Sequence, residues 1–450
     1  MNHSPRYNHF NQPKRKIPIL RFIILGILIW IFGTQIKKEG DQVDISEKKK
    51  AKNTPGHEVV ASNSPALVQD KLDIDPKESQ AKIDSSISRN QVEESLAKDM
   101  VKNQSPAPDS STAKTSTKYQ GQQYQKDALL GRHINTFLNR YKPQGAFVLV
   151  IEAGSNEILS WGQRSDGKTQ DEPFWLSSPR FPAASLAKTI TAAAALEYNR
   201  YSNHSKFPKI GNPTKLYKSQ LKRPKNYKGP HVSMQKAYAK SYNPIFGMIG
   251  QDLGGNILKS MGSKLGMNQN FPGNVPKPSS YNPPVSGYEL AEVASGFIQT
   301  TKVSPLHIGA IFRSLAHSRP LQIPWSDKIP TKYVPTKALS LPNPKLKPNT
   351  YLGIKKMMDA TIESGTAKRA MKKNIYSYHK KRLNIGGKTG TIGGGLENRV
   401  EWFAGYAQDK KNPKNKIILV VVQEHGKIWT LPSTQLTALI INQWAQLRLK

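Results

Sequence analysis

The feature that most limits what this chain can fold into is a long stretch without aromatic residues. Residues 37–118 contain no Phe, Trp or Tyr and are rich in Ser, Lys, Asp, Gln and Pro. A segment of this composition buries too little apolar surface to offset the loss of chain entropy, so we expect it to be disordered. We therefore predict a flexible tether at residues 37–120 and one folded domain at residues 121–450.

An apolar segment precedes the tether, at residues 17–36. Its length is close to the roughly 20 residues that cross a bilayer, and Arg21 is its only charge. Four basic residues and no acidic ones come before it, which favours a cytoplasmic N-terminus. We predict a cytoplasmic tail at residues 1–16, a single-pass anchor in the cell membrane, and a domain in the periplasm or cell-wall space. A cleaved signal peptide is the alternative, although no small-x-small site follows the segment.

The charge of the chain lies mostly in the predicted domain. The chain holds 67 Lys and Arg against 31 Asp and Glu, a net charge of +36. Residues 1–120 contain 19 basic and 14 acidic side chains, which leaves a net charge of +31 for residues 121–450. Outside a membrane, this charge favours anionic envelope polymers as partners over nucleic acid.

The cysteine and histidine content argues against a metal or cofactor. The chain has no cysteine, which excludes disulfides, cysteine nucleophiles and cysteine-ligated metals. Its ten histidines lack the spacing of metal ligands. We therefore expect no metal and no cofactor.

The predicted domain has strands at both ends and helices between them. Period-two and apolar runs predict strands at residues 145–152, 157–161, 385–392, 400–407 and 416–423. Helical spacing predicts helices at residues 127–141, 186–198, 232–253, 288–299, 305–316, 353–364 and 433–447. This order predicts an α+β fold, with an antiparallel sheet built from the N- and C-terminal strands and helices on both faces.

One serine–lysine pair stands out among nine matches to the pattern S-x-x-K. A serine and a lysine at this spacing share a helix face, where the amine can take the hydroxyl proton. Ser185 and Lys188 are followed by small and apolar residues suited to a buried helix. At the start of such a helix, backbone N–H groups and the helix dipole favour negative charge developing on Ser185. For an isolated match, an ordinary N-cap serine is the alternative.

A second pattern, S-x-N, is formed by Ser241 and Asn243 within the helix predicted at residues 232–253. The same pattern occurs at Ser88 and Ser280. Ser241 is the better candidate because apolar residues at helical spacing flank it, whereas Ser280 lies among prolines, where we expect a loop.

A third pattern, K-T-G, occurs once, at residues 388–390 on a predicted inner strand. S-x-x-K, S-x-N and K-T-G in this order resemble the motifs of the penicillin-binding proteins and serine β-lactamases. Four connecting segments agree with this resemblance, at residues 294–296, 303–306, 365–367 and 402–406. The resemblance extends from about residue 127 to residue 450, and one departure is Ala184, where the family more often has glycine.

The resemblance implies roles for the first two motifs. Ser185 would be the nucleophile that forms an acyl-enzyme with the D-Ala-D-Ala end of a peptidoglycan stem peptide, or with a β-lactam antibiotic. Lys188 would be its general base. Ser241 would relay a proton to the departing D-alanine, and Asn243 would hold the substrate amide or Lys188.

The third motif would bind the substrate. Lys388 and the hydroxyls of Thr389 and Thr391 would hold the terminal carboxylate, with Gly390 in the same binding segment. The backbone N–H groups of Ser185 and Thr391 would form the oxyanion hole.

A lysine at its ordinary pKa is a poor base at neutral pH, so the pKa of Lys188 must be lowered. Two ammonium groups about 4 Å apart repel by roughly 4 kcal/mol at an effective dielectric constant near 20. Lys388 is the natural source of this repulsion and is therefore also predicted to be a catalytic residue.

The expected function is that of a membrane-anchored penicillin-binding protein, a serine-type D,D-transpeptidase that cross-links peptidoglycan stem peptides. Its partners would be stem peptides, β-lactams as covalent ligands, and the cytoplasmic membrane. A D,D-carboxypeptidase, which transfers the acyl group to water, is one alternative. A non-catalytic scaffold or β-lactam sensor with the same fold is another.

Overall fold

The computed structural model describes residues 120–271, 275, 277–393, 399–426 and 430–449. The predicted tail, the anchor and the tether up to residue 119 lie outside the described residues. The described residues belong to one compact unit. None of their helices combines the length and apolar character needed to cross a bilayer.

Strands and helices follow one another along the whole described part. The strands are β1 (Gly145–Glu152), β2 (Ile158–Ser165), β3 (Lys168–Thr169), β4 (Phe181–Pro182), β5 (Lys206–Pro208), β6 (His231–Ser233), β7 (Ser279–Ser280), β8 (Lys302–Val303), β9 (Gln322–Ile323), β10 (Leu339–Ser340), β11 (Leu383–Ile392), β12 (Arg399–Asp409) and β13 (Lys416–His425). The helices are α1 (Ala128–Tyr141), α2 (Ala187–Glu197), α3 (Met234–Ala239), α4 (Asn243–Leu253), α5 (Gly255–Lys264), α6 (Tyr288–Ser295), α7 (Pro305–His317), α8 (Pro348–Glu363), α9 (Lys368–Asn374), α10 (Ser377–Arg382) and α11 (Ser433–Arg448). Short 3-10 turns lie at Gln120–Tyr124, Ala184–Leu186 and Lys218–Leu221.

Six strands form the central antiparallel sheet, in the order β11-β12-β13-β1-β2-β3. The N-terminal strand β1 pairs with the C-terminal strand β13, which places Gly145 opposite Glu424. Strand β11 forms one edge of this sheet and β3 forms the other. The predicted α+β fold, with a sheet built from both ends of the domain, is confirmed.

Both faces of the sheet are covered, and β1 shows why. Successive side chains of a strand point to opposite faces. Phe147, Leu149 and Ile151 therefore join one buried cluster, which contains residues of α2, α4, α6, α7 and α8. The alternate residues Ala146 and Val148 join a second cluster, which contains residues of α1, α9 and α11. Apolar residues on both faces explain why β1 reads as a continuous apolar run.

The long helix predicted at residues 232–253 is wrong. The structure divides this segment into β6, α3 and α4, and Ser241 lies between the two helices with a left-handed φ of 59°. Pro244 gives the physical reason, because proline fits the first turn of a helix but not its interior. It stands in the first turn of α4, so a new helix begins there.

Candidate active site

Ser185 lies in the 3-10 turn Ala184–Leu186, which leads directly into α2. The start of this helix is held in place from the sheet, because the indole N–H of Trp402 donates to the carbonyl oxygen of Pro182 over 2.9 Å. Four consecutive alanines, Ala192–Ala195, have no exposed surface and let α2 pass through the centre of its cluster. The predicted position of Ser185 at the start of a buried helix is therefore what the structure shows.

Lys188 lies one helical turn after Ser185 and is completely buried. Its Nζ is 2.8 Å from Ser185 Oγ, 2.6 Å from Asn243 Oδ1 and 2.5 Å from the carbonyl oxygen of Ser295. The last two oxygens only accept hydrogen bonds. When a neutral amine donates its two hydrogens to them, its lone pair remains for the hydroxyl of Ser185. The geometry thus suits proton transfer from the serine to the lysine.

Lys388 on β11 is also completely buried and contacts the second motif. Its Nζ donates to Ser241 Oγ over 2.9 Å and to the carbonyl oxygen of Thr389 over 2.8 Å. The ring of Tyr238 lies 5.4 Å from the same nitrogen. The left-handed backbone at Ser241 turns its side chain away from the path of either helix and toward this lysine. The second and third motifs therefore meet at the amine of Lys388.

Burial is the main reason why the pKa values of both lysines are lowered. It lowers the pKa of Lys188 well below its ordinary value, and the positive charge of Lys388 lowers it further. Burial also lowers the pKa of Lys388, to about 7. The repulsion between the two amines that we expected from the sequence is present, but it is the smaller cause. The hydrogen-bond partners of both amines are neutral oxygens.

Asn243 is the first residue of α4, and both ends of its amide are engaged. Its oxygen accepts from Lys188, while its Nδ2 donates to the carbonyl oxygen of Thr214 over 2.8 Å. Its backbone N–H donates to the carbonyl oxygen of Pro213 over 2.9 Å. The asparagine is thus fixed in one orientation, with its acceptor toward Lys188. Of the two roles considered for it, contact with Lys188 is the one that this geometry displays.

The rest of the third motif continues along β11 past the turn that carries Ser185. Thr389 Oγ1 lies 2.5 Å from the hydroxyl of Thr366. A Cβ placed on Gly390 would be 3.3 Å from the Cβ atoms of both Ala184 and Trp402, so β11 packs tightly against the turn. Thr391 is exposed, at the outer edge of the sheet and opposite Glu401 of β12.

Several residues of the site were not singled out from the sequence. They are the backbone carbonyls of Ser295 and Thr214, which hold Lys188 and Asn243, and the hydroxyl of Thr366 beside Thr389. Ser295 and Thr366 lie in the connecting segments 294–296 and 365–367. These segments supported the resemblance to the family, but no role had been predicted for their residues. Ser280, the other candidate for the S-x-N motif, was predicted to lie in a loop, and this prediction is wrong. It forms part of β7, and its hydroxyl donates to the carbonyl oxygen of Thr300.

Comparison with known families agrees with this geometry. Residues 146–439 match the model of the penicillin binding protein transpeptidase domain. The chain belongs to this family. Membership in the penicillin-binding protein transpeptidases implies peptidoglycan as the substrate and β-lactams as ligands.

Comparison with solved structures supports the fold of this transpeptidase domain. The chain is similar to the D,D-transpeptidase domain of a peptidoglycan glycosyltransferase from Eggerthella lenta, with a TM-score of 0.54 and 17% sequence identity. The similarity covers 72% of this chain and 82% of that one. No curated protein sequence matches the chain.

Proposed function

We propose that the protein is a serine-type D,D-transpeptidase that cross-links peptidoglycan stem peptides. The observation that carries this proposal is the buried Lys188, whose amine lies 2.8 Å from Ser185 Oγ while two other oxygens accept the hydrogens of the neutral amine. An amine with a lowered pKa in this position is an activated base for a serine nucleophile.

In the first half-reaction, Lys188 takes the proton of Ser185 as Oγ bonds to the carbonyl carbon of the penultimate D-alanine. The backbone N–H groups of Ser185 and Thr391 donate to the resulting oxyanion. As the intermediate collapses, the C–N bond breaks and Ser241 relays to the departing nitrogen the proton that Lys188 took from Ser185. D-Alanine leaves, and the remaining stem peptide is held as an ester on Ser185.

In the second half-reaction, the amine of another stem peptide attacks the ester carbon. Lys188 takes a proton from this amine and passes it to Ser185 Oγ as the C–O bond of the ester breaks. The product is a cross-link between two stem peptides, and Ser185 is restored. Lys388, Thr389 and Thr391 hold the terminal carboxylate of the donor, which enters beside Gly390. A cation at Lys388 favours this carboxylate, and the carboxylate in turn favours the protonated amine.

The main test is covalent labelling by a fluorescent penicillin. Ser185→Ala should abolish labelling, whereas Ser219→Ala, which removes an exposed serine from another S-x-x-K match, should leave it intact. Labelling of the Ser185→Ala variant at the wild-type rate would refute the assignment of the nucleophile.

The acceptor is tested separately, with a pentapeptide substrate in the presence and absence of an amine acceptor. We expect a dimeric product by mass spectrometry. Free D-alanine without dimer would instead identify a D,D-carboxypeptidase, and the absence of both products would favour a scaffold or sensor.

We also propose that residues 17–36 anchor the protein in the cell membrane and that residues 37–120 tether the domain outside the cytoplasm. The apolar length of the segment and the excess of basic residues before it support this arrangement. Removal of residues 1–36 should release the protein from the membrane fraction. Retention of the shortened chain there in high salt and alkaline carbonate would contradict the proposal.

A further inference from the structure

A second concave site lies beside the edge strand β11, before its K-T-G segment. It is a cavity of about 570 Å³ lined by the first residues of β11 and by parts of α8, α9 and α10. Ligand pockets of proteins commonly measure about 300–1,000 Å³. We call this cavity the edge groove. It shares no lining residue with the motifs of the active site.

The edge groove lies where the two faces of the sheet meet. On one side, Asp359 of α8 forms an ion pair with Lys355 over 2.9 Å and accepts a hydrogen bond from Tyr406, which belongs to the first buried cluster. On the other side, Met371 of α9 and Ile375, which follows that helix, belong to the second cluster. The groove therefore continues the plane of the sheet outward from β11, between α8 and α9.

The backbone of β11 is open to this groove at exposed Asn384 and half-buried Ile385, whereas Gly386 and Gly387 are buried. Strand β11 pairs only with β12 in the sheet. The backbone N–H of Leu383 donates to the carbonyl oxygen of His379 in α10, whereas within the described part of the chain no backbone hydrogen bond joins Asn384 or Ile385 to an element other than β12. An unpaired strand edge presents N–H and C=O groups that another extended chain can use.

The side chains around the edge groove combine an apolar floor with a basic rim. Met371, Ile375 and Leu383 are 3%, 2% and 5% exposed and form the floor. Lys368, Lys372 and Lys380 are exposed on the rim, and within the described part their ammonium groups form no hydrogen bond or ion pair.

Acidic side chains do little to balance this rim. Of the two that line the groove, Asp359 is already paired, which leaves Glu363. Moreover, the sequence contains no Asp or Glu between residues 364 and 396. The field of the groove is therefore strongly positive.

The geometry points to a peptide-binding site in which an extended acidic segment of a partner protein adds to β11 as a further strand. Its main chain pairs with the open edge, its apolar side chains rest on Met371, Ile375 and Leu383, and its carboxylates meet the lysines. Alternate side chains of a strand face opposite ways, so a segment of alternating apolar and acidic residues fits best. A polyphosphate chain would use the lysines but neither the floor nor the strand edge.

The binding test uses the full chain and a fluorescent peptide of alternating valine and glutamate. We expect binding that raises fluorescence anisotropy and slows hydrogen exchange of Asn384 and Ile385. The same peptide with lysine in place of glutamate should not bind. A version methylated on alternate backbone nitrogens should bind at least about tenfold more weakly, because it keeps the charge but loses main-chain donors.

Charge-reversal variants locate the site. Lys368→Glu together with Lys372→Glu should weaken binding at least about tenfold, since exposed ion pairs each contribute modestly and both are reversed. The matched control, Lys168→Glu with Lys259→Glu, changes the net charge equally at exposed lysines away from the groove. Penicillin labelling should be unchanged in both variants, which shows that they fold and separates this result from the test of Ser185.

Four outcomes would overturn the proposal. They are no binding by the wild-type chain, equal binding of the methylated peptide, an equal loss in the control variant, or displacement by inorganic polyphosphate without any exchange protection at Asn384 and Ile385.

Discussion

At the residue scale, the site depends on two amines that the fold removes from water. Burial lowers the pKa of both Lys188 and Lys388. Above a pH of about 7, the unfolded chain therefore binds more protons than the folded chain. The stability cost of burying Lys388 is fully present below that pH and decreases as the pH rises toward the ordinary lysine pKa of about 10.4. Burial of these amines therefore lowers the stability of the protein at neutral pH, and the same burial makes Lys188 a base beside Ser185.

The same pair should produce a bell-shaped dependence of acylation on pH. The rate constant for acylation by penicillin should rise as Lys188 loses its proton, and fall above a pH of about 7 as Lys388 loses the charge that binds the carboxylate. Because the two amines interact, the pKa values read from the two limbs of this curve belong to the pair and not to either lysine alone. Stopped-flow measurements across the pH range will check this shape.

Asn243→Asp tests whether Lys188 determines the acid limb of this curve, the part in which the acylation rate rises with pH. It places a carboxylate at the position 2.6 Å from Lys188 Nζ, which should raise the pKa of that amine and move the acid limb upward by about one to three pH units. Acylation at neutral pH should fall accordingly. Asn282→Asp, in the other S-Y-N segment, is the control and should keep the wild-type profile. An unchanged profile in Asn243→Asp would exclude Lys188 as the base.

At the element scale, the site is assembled where the end of α6 approaches the turn that begins α2. Gly296 follows α6 with a left-handed φ of 64°, and a Cβ there would overlap with the carbonyl oxygen of Ala184. Ala184 is itself left-handed, with a φ of 49°, although it is not a glycine. The carbonyl of the preceding residue, Ser295, is the one that holds Lys188. The position of the base therefore depends on this close approach.

Gly296→Ala should destabilise the protein and reduce acylation. The substitution adds both a strained left-handed backbone and a collision with backbone atoms, so we expect a loss of more than about 2 kcal/mol in the free energy of unfolding. Gly167→Ala is the matched control, because Gly167 lies in the two-residue turn between β2 and β3 with a φ of 78° and has open space around its Cβ position. It should cost only about 1 kcal/mol. Denaturant unfolding and penicillin labelling of both variants will measure the difference, and equal losses would show that the approach to Ala184 is unimportant.

The sequence predicts the long elements better than the short ones. Strand β1 and helix α11 are long and strongly patterned, so their burial on the sheet could be inferred directly. The short helices α9 and α10 were not predicted, because seven and six mostly polar residues carry too little periodicity.

The candidate site shows the same limit. Motif order identified the side chains of Ser185, Lys188 and Lys388, but a motif does not display backbone geometry. The left-handed turn at Ser241 and the carbonyl of Ser295 depend on tertiary packing. Pro244 was the one local signal that could have separated α3 from α4.

At the scale of the whole molecule, the basic charge and the buried chemistry are separable. Residues 121–450 carry a net charge of +31, whereas Lys188 and Lys388 have no exposed surface. Exposed charges act over a distance that salt shortens, from about 10 Å at 0.1 M to about 3 Å at 1 M. Salt should therefore affect recruitment of the protein to anionic polymers much more than it affects the reaction of Ser185.

This separation predicts two different responses to ionic strength. Binding of the full chain to isolated cell-wall sacculi should fall at least about tenfold between 0.05 M and 0.5 M salt, because each contact with an anionic polymer releases counterions. Over the same range, the rate of penicillin acylation should change less than about twofold, since the amines near Ser185 are shielded from solvent ions. Pelleting assays and labelling rates on one protein preparation will measure both. If sacculus binding were insensitive to salt, the charge would have no role in recruitment. The serine chemistry would be unaffected by that result, because it depends on contacts that lie within the core.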